Sequence, residues 1–147
     1  MEKQSATKIT LWINRLIAAA LLGLAIFLSP VLDWYCQVRV LQTVERTAIT
    51  YGFYACAVFV FLALWHIDAL LRNILRQAVF IRKNVRHIRF IQWCCAIVSL
   101  ICIPAGLCYY PLLFLAVIMG FLCLVVSVVT RVMDAAVSIR EENDLTI

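Results

Sequence analysis

The residues able to do chemistry are few, and they gather at the edges of apolar runs. His66 and Asp68 are the deepest polar pair in the chain, and Arg72 follows Asp68 at i,i+4 spacing, where a guanidinium and a carboxylate can meet on a helix. A proton-coupled transporter needs an ionisable group deep among its helices, because that group must exchange proton for substrate. His66 and Asp68 are the candidates for such a polar site. Their position near one end of an apolar run, with Arg72 to close the pair, favours a structural role. Two membrane histidines can also ligate a haem iron from either side. The chain has only His66 and His87, and His87 sits in a run of bases that suits a headgroup contact better.

Thiol chemistry has less to work with. Four-pass quinone-linked disulfide enzymes need reactive cysteine pairs, commonly CxxC. The seven cysteines here include no CxxC, and the vicinal Cys94-Cys95 is the closest pair. Cys56, Cys94, Cys95, Cys102 and Cys123 lie within apolar runs, where cysteine acts as a small hydrophobe. Cys36 and Cys108 fall near one face of the membrane, and a structural disulfide between them stays open. No metal, cofactor or catalytic set is expected.

The elements that must hold these residues are membrane spans. Hydrophobic residues make up 65% of the 147 and charged residues 14%, against roughly 45–50% and about 25% in soluble domains. Such a chain forms one domain with the bilayer as its solvent. Residues 47–67 carry no formal charge for 21 residues, enough to cross the ~30 Å hydrocarbon core. Residues 90–130 carry none for 41. One helix of that length would be about 60 Å long, so it must fold into two spans. Tyr109-Tyr110-Pro111 marks the turn, with two interface aromatics and a proline placed to start a helix. The fold class is therefore all-α, a four-helix bundle with spans at residues 11–32, 48–71, 90–108 and 112–130.

Loop and tail readings complete the outline. Residues 33–47, with two acids and two bases, read as an ordered external loop, or as a short surface helix over 37–46. Residues 131–147 continue the last helix into water, with Val132, Ala135, Ala136 and Ile139 as a weak apolar stripe. Ala19-xxx-Gly23 and Ala116-xxx-Gly120 allow close helix approach, within the bundle or in a homodimer.

The segment 72–89 holds six of the 13 Lys and Arg residues and no acid. Lying between spans two and three, it puts both chain ends and itself on the cytoplasmic side. As a helix it is amphipathic: Ile74, Ala78, Ile81, Val85 and Ile88 face one way, and Arg72, Arg76, Lys83 and Arg86 the other. A turn within residues 80–84 would interrupt it. Arg72, Arg76, Arg82, Lys83, Arg86 and Arg89 are the expected contacts with anionic lipid headgroups or a protein partner. No direct nucleic-acid binding is expected, since nothing resembles such a module.

Two stretches carry a family resemblance. Val79-Phe80-Ile81-Arg82-Lys83-Asn84-Val85-Arg86-His87-Ile88-Arg89, followed by Trp93, is one; the end Glu141-Glu142-Asn143-Asp144-Leu145-Thr146-Ile147 is the other. Together they resemble the YoaS-like family, small four-pass bacterial membrane proteins of unknown function. The resemblance implies the bacterial cytoplasmic membrane, no established catalytic chemistry, and a regulatory role beside small helix-turn-helix regulators. The leading expectation is a non-enzymatic interaction protein working through its basic loop and acidic tail, with Glu141, Glu142 and Asp144 docking on that loop. The alternative is a small transporter using His66 and Asp68.

Overall fold

The computed structural model describes residues 2–39, 43–76 and 80–145. Five helices follow in order: α1 (Glu2–Ile26), α2 (Leu28–Arg39), α3 (Thr43–Leu75), α4 (Arg82–Cys108) and α5 (Tyr110–Leu145). All of them except α2 are long and apolar enough to cross a membrane. Helices suit that solvent because each satisfies its own backbone polar groups where no water can. The protein is an all-α, four-helix membrane bundle, and four crossings bring its two ends to one side.

Helix α2 is the kinked continuation of α1. The Phe27 N–H still donates to Gly23, and the Val31 N–H to Phe27. Pro30 has no N–H to offer the Ile26 carbonyl, so the helix bends there. The apolar run 11–32 is thus shared between two helices. The expected external loop at 33–47 is mostly helix as well: α2 runs to Arg39, α3 starts at Thr43, and residues 40–42 lie outside the described residues. An ion pair between Asp33 and Arg46 ties α2 to α3, and the Tyr54 hydroxyl donates to the Ala25 carbonyl at 3.1 Å.

The uncharged run 90–130 folds back on itself at Tyr109. That residue is extended (φ −139°, ψ 100°), and its N–H donates to the Ala105 carbonyl to close α4. Gly106 makes the turn tight. A Cβ there would stand 2.6 Å from the Leu113 backbone nitrogen, nearer than real carbon contacts allow. The Tyr109 and Tyr35 hydroxyls hydrogen-bond at 2.7 Å, bringing α2 to the same end.

Helix α4 is the spine. It packs on α3 and on α5, whereas among the described residues α1 meets only α2 and α3. Along the α4–α5 seam, Val85, Ile88, Gln92, Cys95, Ser99, Cys102 and Gly106 alternate steps of three and four. On α5, Ala116, Gly120, Cys123, Thr130, Asp134, Val137 and Glu141 keep the same register. That spacing is the seam of a left-handed helix pair. Most of these residues are small, which is what close packing requires where lipid supplies no hydrophobic drive. Ser99 donates to the Ala116 carbonyl at 2.8 Å, and a Cβ added at Gly120 would stand 3.4 Å from the Ser99 hydroxyl. The Cys123 thiol lies 3.6 Å from the Gln92 carbonyl, and Cys56 of α3 lies 3.6 Å from Cys102. The Ala116–Gly120 step is therefore used inside the bundle, while Gly23 has nothing within 4 Å of its would-be Cβ.

Candidate functional site at the charged end

Helices α3, α4 and α5 all continue past their uncharged stretches into the charged end of the molecule. The segment 72–89 is not one surface-lying helix. Residues 72–75 finish α3, Arg76 and Phe80 lie in the bend, and residues 82–89 open α4. Ala78, one residue of the apolar side read from the sequence, lies outside the described residues. Within α4 that alternation holds: Val85 and Ile88 are buried, while Arg82, Lys83, Arg86 and Arg89 are exposed. The bend is pinned by asparagines. Asn73 donates to the Asn84 side-chain oxygen at 2.8 Å, and Asn84 is wholly buried.

His66 and Asp68 do not bond to each other, because side chains two apart on a helix point to different faces. His66 hydrogen-bonds the Leu62 carbonyl at 2.9 Å and stacks on Phe90, with ring centroids 4.0 Å apart. Its ring also meets His87 edge-on at 5.2 Å, so the two imidazoles touch and do not flank a gap for a macrocycle. Asp68 is held by Arg72, one turn away, and by Arg15 of α1 at 3.2 Å. Arg15 reaches the carboxylate because Asn14, bonded to the Leu64 carbonyl at 3.1 Å, packs α1 against α3 there.

Trp65, Asp68, Arg72 and Asn73 of α3, Arg76 just past its end, and Lys83 and His87 of α4 line an open groove of about 320 Å³. A second cleft of about 190 Å³, between α1 and α3, shares Trp65 and Asp68 with it and runs on to Ala18, Phe61 and Leu64.

On the other side of α4, the last turns of α5 come alongside. The Arg82 guanidinium donates to both carboxylate oxygens of Glu141, at 2.8 Å and 3.2 Å, and to Asp134 at 3.3 Å. Arg89 pairs with Asp134 at 3.6 Å. Arg82 and Glu141 are both exposed, and the hydrogen bond from Arg82 holds the Glu141 carboxylate below its usual range. Asp134, Val137 and Glu141 share one face, and Val137 is 1% exposed. The sequence stripe Val132, Ala135, Ala136 and Ile139 missed that face; Val132 and Ile139 are exposed instead. The signal that finds it is the run of small residues carried down α5 at steps of three and four. Glu142 and Asn143 are exposed, and the side chain of Asp144 and residues 146–147 lie outside the described residues.

Cys36 and Cys108 are free thiols, and among the described residues no three His, Cys, Asp or Glu side chains gather to hold a metal. The arrangement offers charge recognition: a cationic groove on one side of α4 and a guanidinium–carboxylate clasp on the other.

No curated protein and no solved structure matches the chain. A family described as a protein of unknown function (DUF2975) matches residues 16–147, which takes in part of the first span, the other three spans, the basic segment and the acidic tail. A four-helix membrane protein with most of its charges at one end is what that match covers, and the chain belongs to this DUF2975 family.

Proposed function

We propose that this protein is a non-enzymatic regulatory component of the bacterial cytoplasmic membrane. Its basic hairpin and acidic tail face the cytoplasm and exchange a contact within the chain for one with a cytoplasmic protein. The observation that carries the reading is the Arg82–Glu141–Asp134 clasp. It joins the two charged segments, yet it is exposed, so water and salt weaken it and a partner's charges can replace either half. The concentration of Lys and Arg at that end supports its placement inside the cell. The resemblance to the YoaS-like group points to a small helix-turn-helix regulator as the partner. The headgroups of anionic lipids are the second partner of the same basic face.

Transport through a polar site at His66 and Asp68 is the competing reading. Two guanidinium groups already hold Asp68, which supports a structural role for it. Purification from membranes, with the intact chain and with one ending at Arg140, separates the readings. A soluble partner should accompany the intact chain, persist with Asp68→Asn, and vanish with the truncation or with Arg82→Glu. A recovered set unchanged by truncation, together with a solute uptake lost in Asp68→Asn, would sink the proposal.

A further inference from the structure

The groove between α3 and α4 and the cleft between α1 and α3 are two halves of one feature, joined at Trp65 and Asp68. Their chemistry differs sharply. The groove presents Arg72, Arg76 and Lys83 against the single carboxylate of Asp68, with the Asn73 and His87 side chains as further hydrogen-bonding groups. The cleft is lined mainly by the apolar Ala18, Phe61, Leu64 and Trp65. Arg72 and Arg15 share Asp68 between them, so that carboxylate is already neutralised. Among the described residues Arg76 and Lys83 take part in no ion pair, and both line the groove, Arg76 just past the end of α3 and Lys83 in the first turn of α4.

The join lies at the level where a bilayer changes character. Trp65 is 70% exposed, in the last part of the uncharged run 47–67, and tryptophan favours the headgroup level. Beyond it toward Arg76 the lining is mostly charged; before it toward Phe61 the lining is mostly apolar, with Asn14 and Arg15 as its polar members on α1. A ligand filling both halves must be anionic at one end and apolar at the other.

We infer that this composite groove binds a phosphate-bearing anionic lipid, with its phosphate between Arg72, Arg76 and Lys83 and an acyl chain along Trp65, Leu64 and Phe61. Guanidinium and ammonium groups lining one groove suit the spread oxygens of a phosphate. The inference deepens the lipid contact of the proposed function by giving it a site, and it rests on the basic face meeting headgroups. It does not depend on the clasp, since Arg82, Asp134 and Glu141 lie outside the groove.

The test uses the full chain in nanodiscs of phosphatidylcholine doped with phosphatidylglycerol. Lipid retained after detergent extraction is counted by native mass spectrometry. One phosphatidylglycerol should be retained in preference to phosphatidylcholine. Arg76→Gln with Lys83→Gln should weaken its retention by about tenfold or more, and Lys83→Arg should keep it. Arg131→Gln with Arg140→Gln removes the same charge from the same end outside the groove and should change little. Equal losses in the two double variants would mean diffuse surface charge and overturn the site. No preference for phosphatidylglycerol would overturn it as well. Displacement of the lipid by millimolar inorganic phosphate would show that free phosphate is the ligand and overturn the lipid assignment. Ala18→Trp fills the apolar half and should lower lipid retention; unchanged retention would also count against a lipid. Unfolding midpoints in pure phosphatidylcholine identify any variant that fails to fold. Loss of the cytoplasmic partner with lipid retention intact would fault the proposed function alone.

Discussion

Asn73 donates its side-chain amide to the Asn84 oxygen at 2.8 Å, and Asn84 is 0% exposed. The bond joins the last turn of α3 to the first turn of α4, where the backbone ladder of neither helix reaches across. It sets the two walls of the cationic groove at a fixed separation. The end of α3 and the start of α4 are therefore held together by a buried side-chain contact.

Removing Asn84 takes the hydrogen-bond acceptor from the half-buried Asn73 amide. Asn84→Leu should lower the unfolding free energy by about 1–3 kcal/mol, read as the denaturant midpoint in mixed micelles. Adding Asn73→Leu should recover part of the loss, because neither amide is then left alone. A single variant as stable as the parent would show that the bond holds nothing.

Gly106 and Gly23 make a matched pair for the second prediction. A Cβ at Gly106 would strike the Leu113 backbone at 2.6–2.8 Å, whereas one at Gly23 meets nothing within 4 Å. Gly106→Ala should cost about 1–3 kcal/mol through forced backbone shifts. Gly23→Ala should be neutral or stabilise by up to about 1 kcal/mol through helix propensity. Equal effects in the same unfolding titration would refute the close turn.

The clasp should respond to pH and salt. Glu141 is held below its usual range chiefly by the hydrogen bond from Arg82. A carboxylate depressed in the folded protein contributes its stabilisation above the ordinary carboxylate range, and loses it as pH falls through the lowered value. Hydrogen exchange of the amides at 138–143, corrected for its intrinsic pH dependence, should quicken on acidification, in high salt and in Arg82→Gln. Amides before the buried Val137 should stay protected. Exchange indifferent to all three changes would mean that charge does not hold the tail.

Topology supplies the fourth prediction. A reporter fused after Ile147 should be active as a cytoplasmic reporter, and one inserted at Tyr110 as an external reporter. The reverse pattern would overturn the orientation assigned to the basic hairpin, and with it the proposed partner.

The four crossings were legible in the chain because hydropathy and bilayer thickness act on each segment alone. A 41-residue uncharged run cannot be a single span, and Tyr109-Tyr110-Pro111 marks the fold-back without any tertiary contact. The charge asymmetry of 72–89 is equally local. Which face of each helix packs is not. In lipid, leucine and valine are as well placed outward as inward, so apolar periodicity loses the meaning it has in water. The seam of α4 and α5 follows small residues instead, and it carries into the charged end to bury Val137 and seat Glu141 on Arg82. Only the three-dimensional structure decided that Arg15 reaches Asp68 across 53 residues of chain. It also divided the basic segment between the end of α3, the bend and the start of α4, so that Arg76 and Lys83 line one groove. Those are relations between distant residues, set by how helices dock, and no local property of either partner encodes them.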